Sequence, residues 1–99
     1  MALQVSVSQS GGKVLVYASN SGARVAVIDN IVLTIQSATW SWQIRKYPED
    51  FYTGSGRVDP AWAGLMFDMN YSSGPAKASA TADYFEVDHT VTSATKTLS

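Results

Sequence analysis

The chain has no cysteine, one histidine and three prolines, and only 15% of its 99 residues are charged. Without cysteine there is no disulfide, no thiolate zinc site and no iron–sulfur cluster, so apolar burial must hold the fold, alone or with help from neighbouring subunits. No apolar run approaches the roughly 20 residues needed to cross a bilayer. The amino terminus, MALQVSVSQSGG, has neither the basic start nor the continuous apolar stretch of a signal peptide. With Met1 as the native start, the expectation is a chain made and folded in a cytoplasm. The charged fraction falls well below the usual quarter, with Ser, Thr, Ala and Gly in its place. A formal net charge of -1 adds little repulsion between copies. Such a surface suits a protein covered by copies of itself or by partners, and it also suits a secreted binding module. The cations Lys13, Arg24, Arg45, Lys46, Arg57, Lys77 and Lys96 are scattered, which excludes a phosphate-tracking basic stripe and argues against nucleic acid.

What is present is alternation. In Ile31 to Tyr52, IVLTIQSATWSWQIRKYPEDFY, the residues Ile31, Leu33 and Ile35 share one face of a strand. After Ser37-Ala38, Trp40, Trp42 and Ile44 share a face again. Side chains on a strand alternate between faces, so this period of two predicts paired strands with one side in a core. Trp40 and Trp42 are expected in that core, and Pro48 ends the pairing. Before this stretch, Leu3, Val5 and Val7 predict a strand that turns at Ser10-Gly11-Gly12. Lys13 to Ala18 reads as a central strand and Arg24 to Ile28 as a third, with Asp29-Asn30 a turn or bulge. Leu65, Phe67 and Met69 mark a later strand. Lys77 to Ala82 is loop or thin edge strand. Asp83 to Val91 is a strong strand with Phe85 and Val87 on one face, and Tyr84, Glu86 and Asp88 on the other. The tail from Thr92 to Ser99 is polar. These spacings predict a single all-β domain over residues 1–99, an antiparallel β-sandwich or small barrel of about seven strands.

Tyr47 to Gly64 breaks the pattern, a connection of a length compact domains keep for function or contact. Asp59-Pro60 within it has the composition of a helix start, good for a single turn. Its aromatics, Tyr47, Phe51, Tyr52 and Trp62, are the candidate interface or ligand-contact residues. Glu86 and Asp88 share a face at roughly 7 Å, a spacing compatible with a cation or a glycosidic bond. A solvent-facing charged pair is the simpler reading. His89 falls on the Phe85/Val87 face, beside the expected core. No Gly-x-Ser-x-Gly elbow frames a nucleophile, Asp68 and Asn70 make only a thin pair, and Gly54-Ser55-Gly56 lacks the lysine and helix of a phosphate loop. The expectation is no catalytic residue, no metal and no cofactor.

The segment Ser37-Ala38-Thr39-Trp40-Ser41-Trp42-Gln43-Ile44-Arg45-Lys46 resembles a strand of bacteriophage tail and baseplate β-domains. There a Gly-Ala-Thr turn leads into an apolar alternation ending in Gln-Ile-Arg. The likeness covers about a tenth of the chain, and Ser37 stands where glycine is usual. It implies a virion structural role, assembled in a host cytoplasm, and carries over no catalytic residue. The expected function is therefore a non-enzymatic subunit of a virus particle, such as a tail, baseplate or capsid-decorating protein, contacting itself or other virion proteins. The alternative is a carbohydrate-binding module using Tyr52 and Trp62, with a calcium ion at Asp68 or Glu86.

Overall fold

A computed structural model describes residues 2–71, 77–87 and 97–98. In chain order the elements are β1 (Leu3–Ser10), β2 (Lys13–Asn20), β3 (Ala26–Gln36), β4 (Ser41–Lys46), a 3-10 turn (Pro48–Asp50), β5 (Arg57–Val58), β6 (Ala63–Asn70), β7 (Lys77–Glu86) and β8 (Thr97–Leu98). They form two antiparallel sheets. The smaller has the order β1-β2-β6, and the larger β4-β3-β7-β8, with β5 pairing to β3 beyond the end of β4. The sheets pack face to face without closing into a barrel, which settles the fold as a sandwich. Gly11 and Gly12, both at positive φ (58° and 77°), form the tight β1–β2 turn whose backbone twist matches that of the flanking strands.

The core draws one face from each sheet. Leu3, Val5, Val14, Val16 and Ala18 come from the smaller sheet, and Ala26, Ile28, Ile31, Leu33 and Ile35 from β3. On β7 the core row is Ala78, Ala80, Ala82 and Tyr84, all buried. The alanines stand directly opposite Ile35, Leu33 and Ile31, so short side chains alternate with long ones across the sheet. β1 lies over β7, where small side chains leave room for Leu3 and Val5. Lys77 to Ala82 is thus a central strand and not a loop or thin edge. Alanine is a poor strand former alone, and the packing opposite supplies the preference.

Two bulges set the phase of the core faces. Ile28 pairs with Tyr84 and Asn30 with Asp83, leaving Asp29 as the extra residue. The core face therefore switches from Ala26 and Ile28 to Ile31, Leu33 and Ile35 within one 11-residue strand. The runs read separately as Arg24 to Ile28 and Ile31 to Gln36 are this one element. In β6 the register shifts so that Val16 faces Phe67 and Tyr17 faces Leu65, which sends Leu65 to the opposite side from Phe67 and buries Met66.

Three further expectations are corrected. Trp40 and Trp42 are each 42% exposed. Trp42 stands opposite fully buried Ile35, so its face is as expected. However, β4 packs on β3 and has no comparable contact with any strand of the smaller sheet, so that face is only partly covered at the edge. At the end of β7, Tyr84 is the buried residue, while Phe85 and Val87 are about 40% exposed. The core row of alanines continues into Tyr84, opposite to the face chosen from the apolarity of Phe85 and Val87. Finally, Asp59-Pro60 starts no helix. Ala61 there has φ +68°, incompatible with a right-handed turn, and the short helical turn forms at Pro48–Asp50 instead. There the Asp50 carboxylate accepts from Tyr47 N–H at 3.1 Å.

Candidate functional site

The connection after β4 runs between the sheets, and this separates the four candidate aromatics. Phe51 is buried at 4% exposure and stacks on Phe67, with ring centroids 6.1 Å apart and planes 10° from parallel. Tyr52 N–H then donates to Met66 O at 2.8 Å, tying the connection to the free edge of β6. Gly56 returns the chain to the larger sheet, where its carbonyl accepts from Ile28 N–H at 2.7 Å. A Cβ at Gly56 would lie 2.1 Å from Ile28 O, so glycine here serves close backbone approach, with no phosphate role. Trp62 is half-buried and lies against Gly64, where a Cβ would meet the indole at 2.8 Å. Only Tyr47 and Tyr52, at 46% and 66% exposure, remain open for contact.

Buried Asn20 holds this end of the sandwich. Its Nδ2 donates to Arg24 O at 2.8 Å and Val58 O at 2.9 Å, and its Oδ1 accepts from Gly22 N–H at 2.9 Å. Its backbone carbonyl accepts from Ala61 N–H at 2.8 Å, and its N–H donates to Trp62 O at 3.0 Å. The side chain thus ties β2 to β5 and to the turn after β2, and the backbone of the same residue holds the turn carrying Trp62. At the Asp29 bulge, Asn30 Nδ2 lies 3.4 and 3.5 Å from Asp29 and Asp83 carboxylate oxygens, at the outer limit of a hydrogen bond, while its buried Oδ1 has no partner among the described residues.

Two surfaces result. On the outer face of the smaller sheet, the Tyr52 hydroxyl donates to Asp68 Oδ1 at 2.8 Å, and Lys13 Nζ stands 3.9 Å from Asp68 Oδ2. That hydrogen bond raises the Tyr52 pKa, with desolvation and the Asp68 charge adding to it. Leu15 lies opposite Asp68 in this sheet and half-exposed Tyr17 opposite Leu65. The second surface is the flank formed by β4. Trp40, just before the strand, meets half-buried Tyr71 at 6.2 Å between ring centroids, and Trp42 and half-buried Ile44 continue the row.

The acidic candidates do not gather. Among the described residues no three His, Cys, Asp or Glu side chains lie close enough to hold a metal ion. Asp68 is engaged by Tyr52 and Lys13. Glu86 is half-buried beside Tyr84, whose pKa is raised by burial first and the Glu86 charge second, opposed by a hydrogen bond with the Leu3 backbone. Asp88 and His89 lie outside the described residues. Sequence reasoning missed the Tyr52–Asp68 pair, since residues 16 apart across a connection give no local signal. Asn20 stands in a polar Asn-Ser-Gly stretch, which gives no local sign of burial.

The arrangement defines an all-β sandwich with an aromatic flank. No family model, curated protein or solved structure matches the chain.

Proposed function

We propose that the protein is a non-enzymatic structural subunit of a virus particle, of the tail, baseplate or capsid-decorating kind, working by contact with copies of itself and neighbouring proteins. The observation that carries this is the half-exposed row Trp40, Trp42 and Ile44 on a sheet flank that the second sheet covers only in part. Adjacent large aromatics at a sheet edge are a liability for a solitary protein and an asset for an assembling one. The ten residues that resemble phage tail and baseplate domains include this edge strand and the turn leading into it. Low surface charge favours the same reading.

Two measurements test it. Light scattering from about 1 µM to 1 mM should show mass rising with concentration; a monomer throughout removes self-assembly. Immunogold labelling of particles made by the encoding genome should decorate the particles, and label confined to soluble protein removes the virion role.

The carbohydrate reading keeps one specific support, the exposed Tyr52 ring beside Asp68 and Lys13. Trp62 is half-buried against the core and Gly64, so it offers only part of its ring to such a ligand. Oligosaccharide binding lost in Tyr52→Ala would favour this reading over assembly.

A further inference from the structure

The sheet edges differ in what covers them. Among the described residues no strand pairs with the outer edge of β1, and its outward side chains are Gln4, Ser6, Ser8 and Ser10, all exposed and polar. The edge of β6 is partly taken by Tyr52 N–H, and β8 is two residues long. At β4, among the described residues, no strand pairs with the outer edge. The strand has no proline, glycine or bulge, and its exposed side chains are Ser41, Trp42, Gln43 and Arg45, with Ile44 half-buried beside Trp42.

Antiparallel neighbours exchange both backbone bonds at alternate pairs. Ser37 N–H donates to Trp40 O at 2.8 Å, which sets the exchanging pairs of this ladder at Ile35/Trp42, Leu33/Ile44 and Ile31/Lys46. Ser41, Gln43 and Arg45 therefore turn their N–H and C=O groups away from β3. Another extended strand is the partner that satisfies such a row.

We propose that this partner is a second copy of the chain, its β4 running antiparallel to the first about a twofold axis at Gln43. The inference rests on the assembly reading above and names its contact. Opposed residues in an antiparallel pair share a face, which restricts the registers available. With Gln43 on the axis, Trp42 lies opposite the partner's Ile44, and Ser41 opposite the partner's Arg45. Trp40 reaches the partner's Lys46, an indole against an ammonium. No cation meets a cation, and both tryptophans and both isoleucines join in one cluster. An axis at Ile44 would set Trp42 against Lys46 and need Tyr47 N–H, which already donates to Asp50. An axis at Trp42 would shorten the overlap. One short strand covers less than the ~800 Å² per partner of a standard interface, so the dimer should form reversibly at about micromolar concentration.

The experiment is a cysteine scan, clean because the chain has no native cysteine. Under mild oxidation, Gln43→Cys should give a covalent dimer, because the two Cα atoms would stand about 5.5 Å apart, within disulfide reach. Trp42→Cys and Ile44→Cys should cross-link at least about tenfold more slowly, their own copies being further away along the strands. Separately, Gln43→Pro should weaken dimerisation at least about tenfold with an unchanged far-UV spectrum, because that N–H faces away from β3. Fastest cross-linking at Ile44 or Trp42 overturns the register. A wild-type dimer with no cross-link at any of the three positions overturns the β4 contact while leaving assembly standing. A wild-type monomer up to about 1 mM overturns both.

Discussion

Removing the Asn20 amide tests the account of how the connection is held. In Asn20→Ala, three side-chain hydrogen bonds of 2.8 to 2.9 Å are lost. Each contributes about 1 kcal/mol net, so the loss is about 3 kcal/mol if they add. The Val58 carbonyl bond is buried, and leaving that oxygen without a donor pushes towards the upper end, about 4 kcal/mol. The backbone bonds to Ala61 and Trp62 survive the substitution and keep the loss from going further. Urea unfolding followed by tryptophan fluorescence measures it, with Ser21→Ala as a control. That hydroxyl makes one long, exposed bond of 3.3 Å, and its removal should change stability by less than about 0.5 kcal/mol. A loss below about 1 kcal/mol in Asn20→Ala would refute the reasoning, because it would mean water or a shifted backbone replaces the amide at no cost.

Trp42→Ala should lower monomer stability by less than about 1.5 kcal/mol in dilute solution, below the 3–5 kcal/mol typical of a fully buried large aromatic; urea midpoints decide between them. Gly56→Ala should destabilise strongly, by more than about 2 kcal/mol, because the added methyl meets backbone oxygen of Ile28 that no side-chain rotation can move; the melting temperature reads this. The Tyr52 hydroxyl should titrate above the ordinary tyrosine range and move back towards it in Asp68→Asn, followed by the ring carbon shift in NMR. Tyr84 also has a raised folded-state pKa, so its stabilisation is complete below the unfolded value near 10 and is lost as pH rises through the folded value. Alkaline unfolding curves should therefore be shallower above about pH 10 in Tyr84→Phe than in the parent chain.

Alternation and turn chemistry were enough to read most of the strands and the antiparallel all-β class, with sandwich and barrel both left open. Leu3/Val5, Ile31/Leu33/Ile35 and the Gly11-Gly12 turn carry their conformation locally, through the period of two and positive φ. The candidate site was legible only as an aromatic-rich connection. Whether Phe51 is core and Tyr52 surface depends on where the chain crosses between sheets, and adjacent aromatics look alike before that crossing is known. The same holds for Trp42: its face followed from the register, but its exposure followed from a smaller sheet that covers β4 only in part. The alanine row of β7 shows the converse, a segment without apolar bulk made central by the large residues opposite it. Between bulges, sequence by itself determined which side chains share a face, because that is fixed by strand geometry within a few residues. Only the tertiary structure decided which faces are covered, because cover comes from strands far away along the chain, through bulges and crossings whose energies no local window contains.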